Sequence, residues 1–493
     1  MNKRILAAVV GLAMMPALAL AQRDVVVIGL QQEPTGLDLT SDATASIEGI
    51  VTGNIVETLT TLDEKGNVLA GLSSGWTVSP DGKVYAFDLI ANARFSNGRA
   101  LTAEDVKFSL ERAIAPDSTN PNKSTLQNIE KVETPSPTKV VISLKKADNI
   151  FLFRLSSGKA GVFAKETLET LKTAPVGSGV YKFASWTKGD RLVLTRDDTH
   201  RDAAKAKIRQ VTFRFIADPN AAVAALLAGD LDAFPTIPAP ETLAQFKADN
   251  RFVVAVGSTE GEVILAMNNA KAPFNDIRVR RAISHAIDRK AIIDGAMFGY
   301  GTPIGSHFPP HSPYYVDLTG TYPLDIAKAK ALLAEAGHPN GFEASIKLPP
   351  FPYARRSGEI LASQLGKIGV RAKIEPVEWA QWIGPVFREG QYDMTVIAHT
   401  SAHDLDNYAK GPSYYYRYDS QKFRDLFARL TESVDAAETR RLYDEAQRLV
   451  AEDAVHGFLF QLPQTGVYKA GLSGYWKNSP GASGPLSALA WTR

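Results

Sequence analysis

Residues 399–418 gather side chains that bind through hydrogen bonds and ring faces: His399, Thr400, Ser401, His403, Asp404, Asp406 and Tyr408, then Tyr414, Tyr415, Tyr416 and Tyr418. Histidine and tyrosine donate and accept hydrogen bonds while covering apolar surface, which suits a hydroxylated or amide-bearing solute. A metal is the other chemistry these types can support, but histidines four residues apart share an ion only on a helix. Asp404-Leu405-Asp406-Asn407 reads as a loop, so neither a metal nor any other cofactor is expected. His399 and His403 have a second reading, as caps on loop carbonyls, and the tyrosine cluster reads first as packing.

Patterns for catalysis are weaker. Gly71-Leu72-Ser73-Ser74-Gly75 fits G-x-S-x-G, but Gly75-Trp76 runs into a turn and a strand, whereas a nucleophile elbow needs a helix there. G-x-x-x-x-G-K-[ST] and H-E-x-x-H do not occur, and no G-x-G-x-x-G follows a strand. The chain therefore reads as a binding protein and not an enzyme, and any coupling to ATP belongs to another subunit.

The elements that must position these residues alternate in type. The β-branched run Asp24–Leu30 predicts a buried strand that opens into a loop at Pro34-Thr35-Gly36. Lys83–Leu89 alternates as a strand after the turn Ser79-Pro80-Asp81-Gly82, and Val140–Leu144 adds another. Helices are predicted over Val106–Ile114 behind a Thr102 cap, Asn220–Gly229, Asp276–Phe298, Ile326–Ala336 behind Asp325, and Ala436–Val450. Mixed order throughout gives an α/β class. No repeat or Pro-rich linker divides the chain, so several lobes joined by short crossings are expected.

Bulk properties bound the setting. Asn2-Lys3-Arg4, an apolar run from Ile5 to Leu20 and the small-x-small site Ala19-Leu20-Ala21 form a secretory signal pattern over residues 1–21. The chain has no cysteine, which removes disulfides, thiolate metal sites and a lipoprotein anchor. Its 55 basic and 53 acidic residues are interspersed, without the basic footprint of a nucleic-acid binder. A periplasmic, monomeric, water-soluble protein is the expectation.

Several stretches, in order, resemble the peptide/opine/nickel-binding family of extracytoplasmic solute-binding proteins (family 5). They are Glu33–Asp38 with Ile55–Leu59; Leu72–Gly82 running into Phe95–Gly98 and Leu101–Val106; Gly177–Tyr181; Asn268–Ala282 with Ala286–Arg289; and Ala334–Gly337. The resemblance implies a class II two-lobed periplasmic-binding-protein fold with an extra domain inserted in lobe 1. It places lobe 1 at 22–48, 178–257 and 466–493, the insertion at 49–177 and lobe 2 at 258–465. It further implies that the protein captures a small peptide-like, opine, amide or hydroxylated solute between the lobes and delivers it to an ABC permease and ATPase. A secreted sensor or peptide-holding module without transport is the alternative.

The resemblance also points to site residues: Thr35 and Gly36 of the opening motif, Tyr353, Trp379, and His399, Ser401, His403, Asp404 and Tyr408. Trp382 is expected to pack. Where dipeptide-binding relatives carry an arginine two residues before the tyrosine this chain has Phe351, and where they carry the amine-binding aspartate it has Ser401. Both anchors of a zwitterionic dipeptide are thus absent from their usual places, and burying a zwitterion without counter-charges costs several kcal/mol.

Overall fold

The structure, a computed structural model, describes residues 23–41, 44–481 and 484–492; the signal segment expected at 1–21 lies outside them. Its frame is two large mixed sheets. The first runs, in spatial order, Phe252–Gly257, Gln464–Lys469, Ala233–Phe234, Val25–Leu30, Gln210–Phe215, Arg191–Arg196 and Tyr181–Thr187. Val25–Leu30 is central and lies parallel to Gln210–Phe215 along its full length. Both of its faces are covered, which is why a β-branched run rather than an alternating one fits there.

The second sheet runs Thr302–Pro303, His456–Gln461, Glu262–Met267, Met394–His399, Glu343–Leu348 and Arg371–Pro376. Glu262–Met267 is buried at every position, with one apolar cluster around Val263, Leu265 and Met267 and another around Ile264 and Ala266 on the opposite face. A four-stranded antiparallel sheet, Ser73–Val78, Val84–Leu89, Lys139–Leu144 and Ile129–Ser136, packs with helix Ala103–Ile114 around its own core.

Two neighbouring strands pass from the first large sheet into the second. Gly257 pairs with Gln464 in one sheet and Glu262 pairs with Gln461 in the other, so only residues 258–261 and 462–463 make the crossings. Thr259 Oγ1 donates to the Leu462 carbonyl at 2.5 Å, and Leu462 N–H to the Gly261 carbonyl at 2.7 Å, tying the two crossings together.

Local signals behave as elementary chemistry dictates. Thr102 N–H donates to Asp105 Oδ2 at 2.9 Å at the start of helix Ala103–Ile114. Asp218 caps Pro219–Ala228, and Gly229 closes it at φ 86°. One expectation is corrected: 276–298 is two helices, Ile277–Ala286 and Arg289–Met297. Ile287 is extended, and Asp288 accepts from Ala291 N–H at 3.0 Å, so a second N-cap interrupts what the apolar spacing alone reads as one stripe. Ser73 enters a strand, not a helix, and its hydroxyl is buried against the Leu59 carbonyl at 2.8 Å, far from an elbow nucleophile.

Candidate functional site

A cavity of about 860 Å³ opens between the two large sheets. One wall comes from Gln31, Gln32 and Thr236–Pro238, a second from Glu48 with Phe153, Arg154, Ser156, Ser157 and Lys159, and a third from the second sheet and its helices. Leu462 and Pro463 of one crossing also line it.

The third wall is aromatic. Tyr353 stands in the first turn of helix Pro352–Gly366, where a proline suits the N-terminus. Its hydroxyl accepts from Ala398 N–H at 3.1 Å, and its ring stacks on Phe351 at 5.7 Å. Trp379 begins a short helical turn, Trp379–Gln381, that widens into a π-helix, Trp382–Arg388, with Pro385 inside it. A wide turn of this kind sets successive rings on one face, and such turns recur at functional sites. Trp379 and Trp382 stack at 5.2 Å with planes 3° apart, and Phe387 continues the row at 5.8 Å from Trp382. Trp382 is buried and donates Nε1–H to Thr395 Oγ1 at 3.0 Å, and it lines the cavity as well as packing behind it.

The strand Met394–His399 delivers the polar part of the wall, and Asp404–Tyr408 forms a 3₁₀ turn where a loop was expected. His399, Ser401, His403 and Asp404 line the cavity together with Tyr353 and Trp379. His399 does not cap a loop carbonyl: its Nε2 lies 2.7 Å from the Tyr415 hydroxyl and its Nδ1 3.5 Å from Asp404. His403 meets Phe153 edge-on, with centroids 4.3 Å apart. Burial, helped by Arg154, pushes His403 down to about 4, so it is a neutral ring at physiological pH.

Three expected residues stand off the cavity lining. Tyr408 is fully buried in the apolar cluster behind the wall, against Tyr416 and Phe423, because a ring on the inner side of the turn fills the core. Thr35 and Gly36 belong to the loop after the first strand, where Gly36 packs against the Lys172 side chain. Tyr415, Tyr416 and Tyr418 are core residues, while Tyr414 reaches the cavity.

Behind this wall the fold assembles a group that spacing cannot reveal. Glu262 and His307 are buried, and His307 Nδ1 lies 2.8 Å from Glu262 while its Nε2 lies 3.2 Å from Asp404. Burial opposes charge on the ring, yet the two carboxylates outweigh it and push His307 up to about 10. Burial likewise raises Glu262, to about 7, against the pull of His307, whereas contacts with His307 and His399 hold Asp404 well below the usual carboxylate range. These three side chains are the metal-type donors that converge within 4.8 Å among the described residues. Each imidazole nitrogen lies near a different carboxylate, but His307 Nδ1, both Glu262 oxygens and Asp404 Oδ1 have no aligned hydrogen-bond partner among the described residues, so the three meet as ion pairs by proximity. A lone acid heading the apolar strand EVILAM was the one sequence signal for it.

Cations missing from their expected places enter from elsewhere. Arg154, Lys159, Arg388 and Lys410 all line the cavity. Arg154 donates Nε–H to Asp148 at 2.8 Å, Lys159 pairs with Glu48, and Lys410 lies 3.5 Å from Asp406.

The sequence pattern of "Bacterial extracellular solute-binding proteins, family 5 Middle" matches residues 67–422, well over half of the chain. The chain is 29% identical over 479 residues to the glutathione-binding protein GsiB of Salmonella paratyphi A, covering 93% of each. Among solved structures it is similar to the PBP AgaA of A. tumefaciens R10 in complex with agropinic acid: TM-score 0.87, 27% identity, 95% and 99% of the two chains covered. A match to the Helicobacter pylori ABC transporter-associated periplasmic binding protein DppA with the peptide STSA has a TM-score of 0.89 at 23% identity and supports the fold alone.

Proposed function

We propose, from the premise that the chain belongs to family 5 of the bacterial extracellular solute-binding proteins, that it captures a small polar solute in the cavity between its sheets and hands it on unchanged to an ABC permease. One observation carries this reading: the cavity is walled by three separate parts of the chain, and the second sheet is joined to the first by two short crossings. A solute touching all three walls favours the form in which they are together, and the pair of crossings serves as the hinge.

In this reading lobe 1 is built on the first sheet, 49–177 is its insertion and 258–465 is lobe 2. Export through the 1–21 signal places the protein in the periplasm as a monomer, and it is a carrier, not a catalyst. The relatives named above bind glutathione and agropinic acid, so peptide-like amides and opines are the first classes to try.

Contacts across the mouth support a closed form. Asn149 of the inserted segment donates its backbone N–H to the Thr431 carbonyl at 3.0 Å and Nδ2 to those of Leu430 and Ser433 at 2.8 and 3.2 Å. These acceptors lie at the C-terminal end of helix Gln421–Glu432 and at its C-cap, Ser433. Lys146 pairs with Glu432 at 2.7 Å, and Arg356 forks onto Glu241 at 2.7 and 3.0 Å.

Small-angle scattering of purified protein, with and without its tightest ligand from a thermal-shift screen, tests the reading. Contraction on binding is expected, and identical profiles at saturation would contradict closure. Asn149→Ala should enlarge the ligand-free form or weaken binding, since each lost hydrogen bond is worth about 1 kcal/mol.

A further inference from the structure

We propose that the cavity takes a carboxylate-bearing solute with no free ammonium group, an N-acylated amino acid or short N-blocked peptide, and that the open edge of Arg154 receives the carboxylate. This rests on the solute-binding reading above and names the substrate class of the same site.

The acids are the first half of the argument. Among the described residues lining the cavity the carboxylates are Glu48, Asp404 and Asp406. Glu48 pairs with Lys159 and accepts from Ser157 Oγ at 3.3 Å. Asp404 lies between His307 and His399 and accepts from Asn407 Nδ2 at 3.0 Å. Asp406 faces Lys410 at 3.5 Å. A ligand ammonium would have to displace a cation already in place and strand it in a partly buried site, which forfeits more than it gains.

The donors are the second half. The Arg154 side chain is 11% exposed and its partner Asp148 4%, so this pair is built into the wall rather than trailing in solvent. Only Nε is engaged; the two Nη nitrogens meet no acceptor among the described residues. A guanidinium held by one edge presents the other as a planar fork, the shape that meets a carboxylate with two parallel hydrogen bonds. Asp148 is itself fixed by Ile150 N–H at 3.2 Å, so the fork is aimed before the solute arrives. Trp379 Nε1 and Gln32 Nε2 are buried donors without an acceptor among the described residues, one on each side of the cavity. Acyl and peptide carbonyls supply what such donors need.

The test uses calorimetric titration of the full mature protein with three matched probes: Ala-Phe, N-acetyl-Ala-Phe and N-acetyl-Ala-Phe amide. The N-acetyl acid should bind at least about tenfold tighter than either of the others. Arg154→Gln should erase its advantage over the amide. Because that change leaves Asp148 buried without its cation, Asp148→Asn/Arg154→Gln is the second variant, expected to fold and to lose the same preference. Equal or tighter binding of Ala-Phe overturns the inference, and so does equal binding of the amide. Binding of none of the three up to about 1 mM also overturns it. Native mass spectrometry separates the two levels of failure. A co-purified solute carrying an ammonium refutes the class and leaves solute capture standing, whereas no solute retained from any extract, together with no contraction in scattering, removes both.

Discussion

His307 and His403 both lie beside Asp404, yet the fold treats them oppositely. His307, sealed behind the wall between Glu262 and Asp404, is pushed up to about 10; His403, on the cavity side against Phe153 and near Arg154, is pushed down to about 4. Burial opposes protonation of both rings, so burial cannot explain the difference. Its source is the neighbours: two carboxylates flank the first ring, and an arginine stands near the second. The interior region uses its charges to fix the fold. The cleft region leaves donors uncommitted, and a site must have such groups before it can gain anything from binding.

The sharpest way to break this contrast is His307→Asn. Glu262 and Asp404 would then face each other across a buried gap without their cation, and removal of one partner of a buried pair costs about 3–5 kcal/mol. A corresponding fall in unfolding free energy in urea is expected, with partial recovery in Glu262→Gln/His307→Asn. A loss below about 1 kcal/mol in the single variant would mean that the interior group does not carry this charge.

Trp379→Ala should do the reverse. The ring is half-buried and stacked on Trp382 at the cavity face, and truncating such a contact surface costs about 2 kcal/mol of binding, roughly thirtyfold in Kd. The ligand-free melting temperature should move by only a degree or two. A large loss of stability with affinity intact would assign Trp379 to the interior region instead.

The same contrast explains what could be read from the chain in advance. Caps and turns are local: Thr102 and Asp325 announce their helices because donor and acceptor lie within three residues. The aromatic wall was legible as a type, and the resemblance placed Tyr353 and Trp379. Glu262, His307 and Asp404 were not legible together, because tertiary folding brings a strand residue, a loop residue and a 3₁₀-turn residue far apart in sequence into one place. Arg154 sits in Phe151-Leu152-Phe153-Arg154, a short turn with no pattern of its own, and reasoning that looked for an arginine two residues before Tyr353 had no cause to look 199 positions upstream.

The smallest effect is the pH dependence of stability, in which the two histidines have opposite signs. A neutral ring that is harder to protonate when folded than when unfolded lends stability above the unfolded value near 6.5 and loses it as pH falls toward about 4. His403 therefore makes the protein less stable on acidification, by on the order of 1 kcal/mol once its exposure to the cleft is allowed for. His307 has the opposite sign: a ring held charged lends its full stability below about 6.5 and loses it as pH rises toward about 10. Calorimetric unfolding of the protein and of His403→Gln between pH 4 and 7 should thus give curves that converge at the acid end and diverge toward neutrality. If the variant instead keeps the full acid dependence of the parent, the neutral ring at the cleft is not its source, and the asymmetry between the two regions rests on His307 alone.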